Sequence, residues 1–579
     1  MSRWNRRSFL RQASSSAALA ALSPRSSLPL SRPEHAPPSF LDLLRPPDLV
    51  TAFADSPEPT PLRRSATSWQ AGGIDLRTTP RATALDLTLI APTTPLKRIH
   101  LRWAIPVDSS ALYLGDAWER SYGDLAWRSV TPERVLPWYF AAHTASGLTH
   151  GYGVQTGARA LCFWQVDPEG VSLTLDVSNG GNGVLLGQRQ LAVATVVTRP
   201  GQPGETPTQA ITQLCRQMCS KPRPSPGPIY GANDWYYAYG RNSATGILRD
   251  TDLLASLSPA SGPLPFSVID GGWEPDRNPA DGYTRNPAFP DMPALAQQIR
   301  TRGVPPGIWI RPTQAPNGTP PSLLLPYTRV KNVGASNSES DSSAALDPTI
   351  PEALEILLAK VREVAGWRYD LVKFDYSTYD LLGQWGFDMG ASPTRPGWSF
   401  HDRSQTNAEV LLALYTAIRS AAGNQTLLLG CNTVGHFGAG LFDLQRTGDD
   451  TSGRIWERTR RMGINTLAFR LPQNHTFFVV DADCVGITRD IPWSLNRQWL
   501  DLLARSNSAL FVSPAPDAIG PDQRHAIADA FAIAAANRTS GQPVEALTET
   551  TPEHWQFTSS PVSRVYTWCP PVGCDPYTI

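Results

Sequence analysis

The sequence has no charge of one sign to spare: Lys plus Arg total 51 and Asp plus Glu total 51 over 579 residues, for a formal net charge of zero. Without a basic field there is nothing to draw nucleic acid to the surface, and without an acidic excess there is no solvating tail. Cysteine is scarce as well. The seven residues Cys162, Cys215, Cys219, Cys431, Cys484, Cys569 and Cys574 are too few for a disulfide scaffold in a chain of this length. The two in "CPPVGC" either close a small loop in an oxidising compartment or stay reduced. Cys215 and Cys219 stand at i, i+4 with no His pair nearby, so they read as packing residues and not as a zinc site. Neither a phosphate-cradling glycine loop nor a dinucleotide fingerprint occurs, so no cofactor and no metal are expected. Past the N-terminus there is no run of about 18 apolar residues, which leaves no candidate for a membrane-spanning helix.

Proline, glycine and tryptophan are abundant, at 54, 44 and 18 residues, while charged residues make up only 18%. That mixture describes a loop-rich globular chain with aromatic surface beyond what core packing requires. At this length two or three domains are expected. The first residues, "NRRSFLRQASSSAALAALSP", set Arg6 and Arg7 before Phe9 and Leu10 and an alanine-rich apolar stretch without acids. This pattern resembles a twin-arginine export signal within a leader over 1–36, and implies a periplasmic or secreted protein that meets no membrane once the signal is removed.

Between Phe53 and Thr198 short alternating runs such as "ALDLTLIAP", "ALCFWQVD" and "GVSLTLDVS" are punctuated by Gly, Pro and Asp, and predict an antiparallel β-sandwich over 40–220. A proline-rich linker, "SKPRPSPGP", follows. From there apolar runs ("PIYGANDWYY", "LPFSVIDGGW", "PPGIWIRP", "DLVKFDYST", "TLLLGCNTVG", "FDLQRTGDD", "TFFVVDADCVG", "SALFVSPAP") alternate with helical stretches. This is the order and length of a (β/α)8 barrel over 228–535, with a doubly wound open sheet as the alternative. Residues 536–579 predict a short C-terminal β segment.

In a barrel the chemistry gathers where the strands end. The first strand ends near Trp235, the second on Asp270 and Trp273, the third on Trp309 and Arg311, and the fourth on Lys373 and Asp375. Cys431 and Asn432 close the fifth, Arg446, Asp449 and Asp450 the sixth, and Asp481 and Asp483 the seventh. Asp as a helix cap is the structural alternative for any one of them. Together they suggest a glycosidic pair, one carboxylate facing the anomeric carbon and one acid beneath the leaving oxygen. Lys373 is expected either to keep Asp375 ionised or to form a plain ion pair with it. Asp450 is expected to raise the acid at Asp449 by like-charge repulsion.

"DLVKFD", with "FSVIDGGW", "GIWIRP", "GCNTVG" and "RTGDD", resembles the barrel of the α-galactosidase clan, glycoside hydrolase families 27 and 36 (melibiase-like), over residues 228–535, and the preceding sandwich is similar to that of family 36. The resemblance implies a retaining α-glycosidase with Asp375 as nucleophile and Asp449 as acid/base. It also implies sugar contacts at Asp270, Lys373 and Trp309. Trp235, Trp273, Cys431, Asn432 and Arg446 complete the expected substrate-binding set, Arg446 with a structural ion pair as its alternative. The chain departs from the family where Gly271 replaces the second of two adjacent acids, at Asn432, in the spacing of Arg446 to the acid/base, and in its reduced C-terminal β-domain. The expected partner is an oligosaccharide or other glycoside. A related enzyme acting on another sugar or transferring to a sugar acceptor, and a non-catalytic carbohydrate-binding barrel, are the rival readings.

Overall fold

The structure, a computed structural model, describes residues 40–574 apart from 56–57, 224–226, 275–285, 317, 327–343, 537–538 and 560, so the arginine pair of the leader lies outside the described residues. The alternating runs at the start form strands with one buried face. In Leu96–Trp103 the side chains of Leu96, Ile99, Leu101 and Trp103 are buried and the residues between them are half-exposed. This strand pairs with Leu49–Ala54 on one side and Gly170–Asp176 on the other, and the antiparallel pattern runs through thirteen strands in all among the described residues. Thr60–Ser65 pairs with both Leu49–Ala54 and Ser68–Ala71 and so joins the two faces of the sandwich. Trp69, Trp103, Trp138 and Trp164 lie fully buried.

The helix Pro207–Met218 closes the sandwich. Thr206 and Gln209 form a reciprocal capping box at its N-terminus, satisfying donors that the helix cannot satisfy itself. It lies so near the strand Thr149–Val154 that a Cβ on Gly151 would come within 2.8 Å of Leu214 Cδ2. Glycine in "GYGV" is therefore what lets helix and sheet touch.

Eight parallel strands follow: β1 (Tyr230–Asn233), β2 (Phe266–Ile269), β3 (Pro306–Ile310), β4 (Leu371–Phe374), β5 (Leu427–Gly430), β6 (Leu444–Arg446), β7 (Val479–Asp481) and β8 (Leu510–Pro514). Each pairs with the next from β1 to β7, and β1 also pairs with β8. Ala509 N donates to Val480 O at 2.8 Å, joining β7 to β8 and closing the ring. All four residues of β4 are buried, as expected of a parallel strand covered on both faces. The barrel, the sandwich before it and the small sheet after it match the architecture read from the sequence. That last sheet is Gly541–Pro543, His554–Phe557 and Ser563–Val565, followed by a Cys569–Cys574 disulfide.

One predicted strand divides. "TFFVVDADCVG" gives β7 and then a second strand, Val485–Ile487, which pairs with β8. Asp483 between them adopts a left-handed φ of 78°, and its carboxylate takes the Thr451 N–H (2.7 Å) and hydroxyl (2.9 Å), bonds that turn the chain aside.

Candidate active site

The floor of the candidate site is a buried ion pair between the ends of β2 and β4. Lys373 Nζ lies 2.7 Å from Asp270 Oδ2, which also accepts from Asn233 Nδ2 at 2.7 Å, while Asp270 Oδ1 accepts the Gly271 N–H at 2.9 Å. Burial works against the ammonium, but the Asp270 carboxylate wins and holds Lys373 well above the usual lysine range. Lys373 therefore does not serve Asp375, as the sequence had suggested. It reaches past β3 to β2, where a carboxylate is more deeply buried and in greater need of a countercharge. Beneath, Asp234 accepts the Asp270 N–H (2.7 Å) and Asn242 Nδ2 (2.6 Å); burial, then the charge of Asp270, raises it to about 7.

Asp375 sits half-exposed just past the end of β4. Trp309 Nε1 donates to its Oδ2 at 3.2 Å and the Tyr376 N–H to its Oδ1 at 2.6 Å, so two neutral donors orient the carboxylate. Tyr376 has a left-handed φ of 65°. Arg311 lies 4.1 Å over the Tyr376 ring and is anchored by a two-pronged bond to Asp380 (3.0 and 2.6 Å). Trp273 is buried behind Trp309 and donates to its backbone carbonyl at 2.8 Å, which makes it a brace for β3. Gly271 opens a notch in this wall: a Cβ there would meet Trp309 at 3.6 Å and Trp235 at 3.9 Å, so the two indoles flank this position.

Two strands further round the ring, the end of β6 carries Asp449 and Asp450 inside a cage of arginines. Asp449 Oδ2 pairs with Arg458 at 2.8 Å and its Oδ1 with Arg120 at 3.3 Å. Asp450 Oδ1 meets Arg446 at 3.0 Å and Arg120 at 3.5 Å, and its side chain is 44% exposed. Its partial enclosure in the rim pushes the Asp450 carboxyl up, but Arg446, Arg120, Lys373 and Arg458 pull it down to about 2. Asp450 thus stands among guanidiniums as well as beside a carboxylate, a setting the sequence did not show. Burial also raises the Asp481 carboxyl at the end of β7, to about 6. Asp481 lines a narrow cleft with Asn233, Lys373, Arg446 and Asp483.

Arg446 is buried and ion-paired to Asp483 at 3.0 Å, besides Asp450. Cys431 is buried beside it, Sγ 4.0 Å from Arg446 Nη1, and its thiol is pushed up by burial and by Asp375. Asn432 is fully buried with a φ of 32°. Its amide donates to Glu119 Oε2 at 2.8 Å and accepts the Tyr379 N–H at 3.2 Å, so it ties the loop after β5 to the sandwich.

Glu119 and Arg120 were not anticipated. They belong to a sandwich segment that docks on the barrel rim: Ser121 N donates to Thr447 O, and Asp449 N to Ser121 O, both at 2.8 Å. The signal was present in "DAWERSYGD", a Glu–Arg pair between Trp118 and Tyr122, which is the same burial of charge among aromatics that drew attention to Lys373. No group of three or more potential ligands for a metal occurs among the described residues. None of their helices is long and apolar enough to cross a membrane.

No family model and no curated protein sequence matches the chain. Solved structures do match in fold. An α-galactosidase from Thermus thermophilus in complex with p-nitrophenyl α-D-galactopyranoside is 17% identical, with a TM-score of 0.58 over 87% of this chain and 99% of that one. A glycoside hydrolase family 36 α-galactosidase from Geobacillus stearothermophilus in complex with stachyose is 14% identical, with a TM-score of 0.55 over 84% and 71%. The α-galactosidase from Lactobacillus brevis is 13% identical, with a TM-score of 0.52 over 89% and 74%.

Proposed function

We propose that the protein is a retaining α-glycosidase of the α-galactosidase type. Asp375 attacks the anomeric carbon to form a glycosyl-enzyme, and the Asp449–Asp450 pair assists the leaving oxygen and then the incoming water. The observation that carries this is the presentation of Asp375. It is the half-exposed carboxylate at the end of β4, aimed by Trp309 Nε1 and the Tyr376 N–H, over a floor in which Lys373 and Asp270 offer a sugar's hydroxyls a fixed donor and acceptor. Similar folds that hold a galactoside and stachyose support a sugar substrate. No step requires a cofactor. Arg6 and Arg7, and a disulfide of the kind that persists in oxidising compartments, support export to the periplasm or beyond.

The arginine cage favours a second reading. A carboxyl held at about 2 carries no proton at neutral pH, so it is poorly suited to general acid catalysis in the resting state. A carbohydrate-binding barrel that does not turn over is the alternative. The deciding experiment is sugar release from aryl α-glycosides by the wild type and by Asp375→Asn, Asp449→Asn and Asp450→Asn. Release that vanishes in Asp375→Asn, and that added azide restores in one of the other two variants, supports the retaining enzyme and identifies the acid/base. Absence of release from every donor, with sugar binding intact, supports the binding protein.

A further inference from the structure

Arg458, whose Nη2 bonds to Asp449 Oδ2 at 2.8 Å, also donates from Nε to the Asp450 backbone carbonyl at 3.0 Å. One guanidinium thus ties the Asp449 carboxylate to the turn that carries it. Arg458 ends the short helix Trp456–Arg458, which runs into a π-helical turn, Thr459–Ile464, and then the helix Asn465–Arg470. That winding is rare in proteins and frequent at functional sites.

Three residues of this stretch bond to the C-terminal segment. Trp456 Nε1 donates to Trp568 O at 2.6 Å, with the two rings 6.4 Å apart. Arg460 Nη1 donates to Thr551 Oγ1 at 2.7 Å, while its Nε holds the Glu457 carboxylate at 3.1 and 3.0 Å. Asn465 Nδ2 donates to Thr550 O and to Leu125 O of the sandwich, both at 2.8 Å. Trp568 is itself fixed. It is fully buried, its Nε1 donates to Pro552 O at 2.8 Å and its N–H to Glu553 Oε1 at 3.1 Å, and its ring stacks on Tyr566 with centroids 4.9 Å apart. The Cys569–Cys574 disulfide begins at the next residue.

A terminal sheet that served stability alone could dock anywhere on the barrel wall. This one grips residues on both sides of Arg458, in the segment after β6. An arginine side chain has many rotamers, and it orients a partner only where its own backbone is held. A group that passes a proton must be held closely, since an error of about 1 Å can cost about 100-fold in rate.

We propose that Arg458 is a positioning residue for the Asp449–Asp450 pair, and that the C-terminal segment, through Trp568 and Trp456, sets where it stands. The inference rests on the retaining-enzyme reading of that pair. It gives the short C-terminal sheet a part in the reaction although none of its side chains reaches the substrate.

The test is kcat/KM of full-length wild type, Arg458→Gln, Arg458→Lys and Trp456→Phe on the p-nitrophenyl, phenyl and methyl α-glycosides of the sugar that the wild type releases. The series runs from a leaving oxygen that needs little protonation to one that departs only with it, and kcat/KM reports the step in which the acid acts. Arg458→Gln should lower kcat/KM about 30- to 100-fold on the methyl glycoside and less than about threefold on the p-nitrophenyl glycoside. Arg458→Lys keeps the charge but not the two-pronged reach, and should fall between. Trp456→Phe should show the same dependence on leaving group, with a loss of about three- to tenfold on the methyl glycoside. Should Arg458→Gln fail to fold, the other two variants carry the same comparison. Equal losses on all three donors, as a merely structural role predicts, or a Trp456→Phe protein that matches the wild type, overturn the proposal and leave the enzyme reading in place. A wild type that releases sugar from no donor removes both.

Discussion

Arg120→Ala removes the guanidinium that the sandwich places in the rim of the barrel, and its cost follows from the groups left behind. Asp449 keeps Arg458 and Asp450 keeps Arg446, so both retain a countercharge. Glu119 does not. Its side chain is fully buried, and without Arg120 Nε at 3.2 Å it is left with neutral donors, the Asn432 amide at 2.8 Å, the Gly386 N–H at 3.3 Å and the Tyr122 hydroxyl. Breaking a buried ion pair costs about 3–5 kcal/mol, and three surviving hydrogen bonds place this case near about 3. The charge on Glu119 causes most of that loss, so Glu119→Gln added to Arg120→Ala should recover about 1–2 kcal/mol. Urea unfolding followed by tryptophan fluorescence and by far-UV circular dichroism reads both quantities. A cost under about 1 kcal/mol, or a double variant no more stable than the single one, would refute the claim that the buried Glu119 carboxylate depends on Arg120 as its countercharge.

Asp481→Asn should stabilise the protein at neutral pH. The Asp481 carboxyl is raised to about 6 in the folded state against about 3.9 unfolded, so the wild type loses stability as pH rises from about 4 to about 6 and stays lower above that. The variant, lacking that loss, should gain up to about 2–3 kcal/mol at pH 7 and nothing at pH 4, read as a difference between two denaturation series. Lys373→Met should abolish sugar binding and cost about 3 kcal/mol by leaving Asp270 buried with only neutral donors, measured by calorimetry and urea unfolding. Gly151→Ala should cost about 1–3 kcal/mol, because Leu214 must yield to a Cβ at 2.8 Å, and thermal unfolding will show it.

The barrel was legible because its strands are buried on both faces and read as short apolar runs between helices, and the sandwich because its strands alternate. Strand ends follow from that pattern, so the position of Asp375 at the mouth was legible too. Partners were harder. Lys373 was visible as a buried cation, but its choice of Asp270 depends on which carboxylate the fold buries more deeply, a property of the closed ring that no neighbouring residue announces. The Asp449–Asp450 pair was visible as two acids, but its environment is set by Arg120 and Arg458, of which one comes from another domain. Asn432 was found by position, but its bond to Glu119, a residue of the other domain, was not legible.

The docking of Ser121 on the end of β6 bears on the order in which the molecule is completed. The hydroxyl of Ser121 and the carbonyl of Thr447 that it reaches are 326 residues apart in the chain. A ribosome finishes the sandwich long before it makes β6, so the segment carrying Glu119 and Arg120 waits, without its partners Asn432, Asp449 and Asp450, until the barrel arrives. Contacts of such long separation form late, after loop closure has been achieved by everything between them. The rim around Asp449 is thus among the last parts of the chain to assemble, and a molecule that has it has already folded both domains.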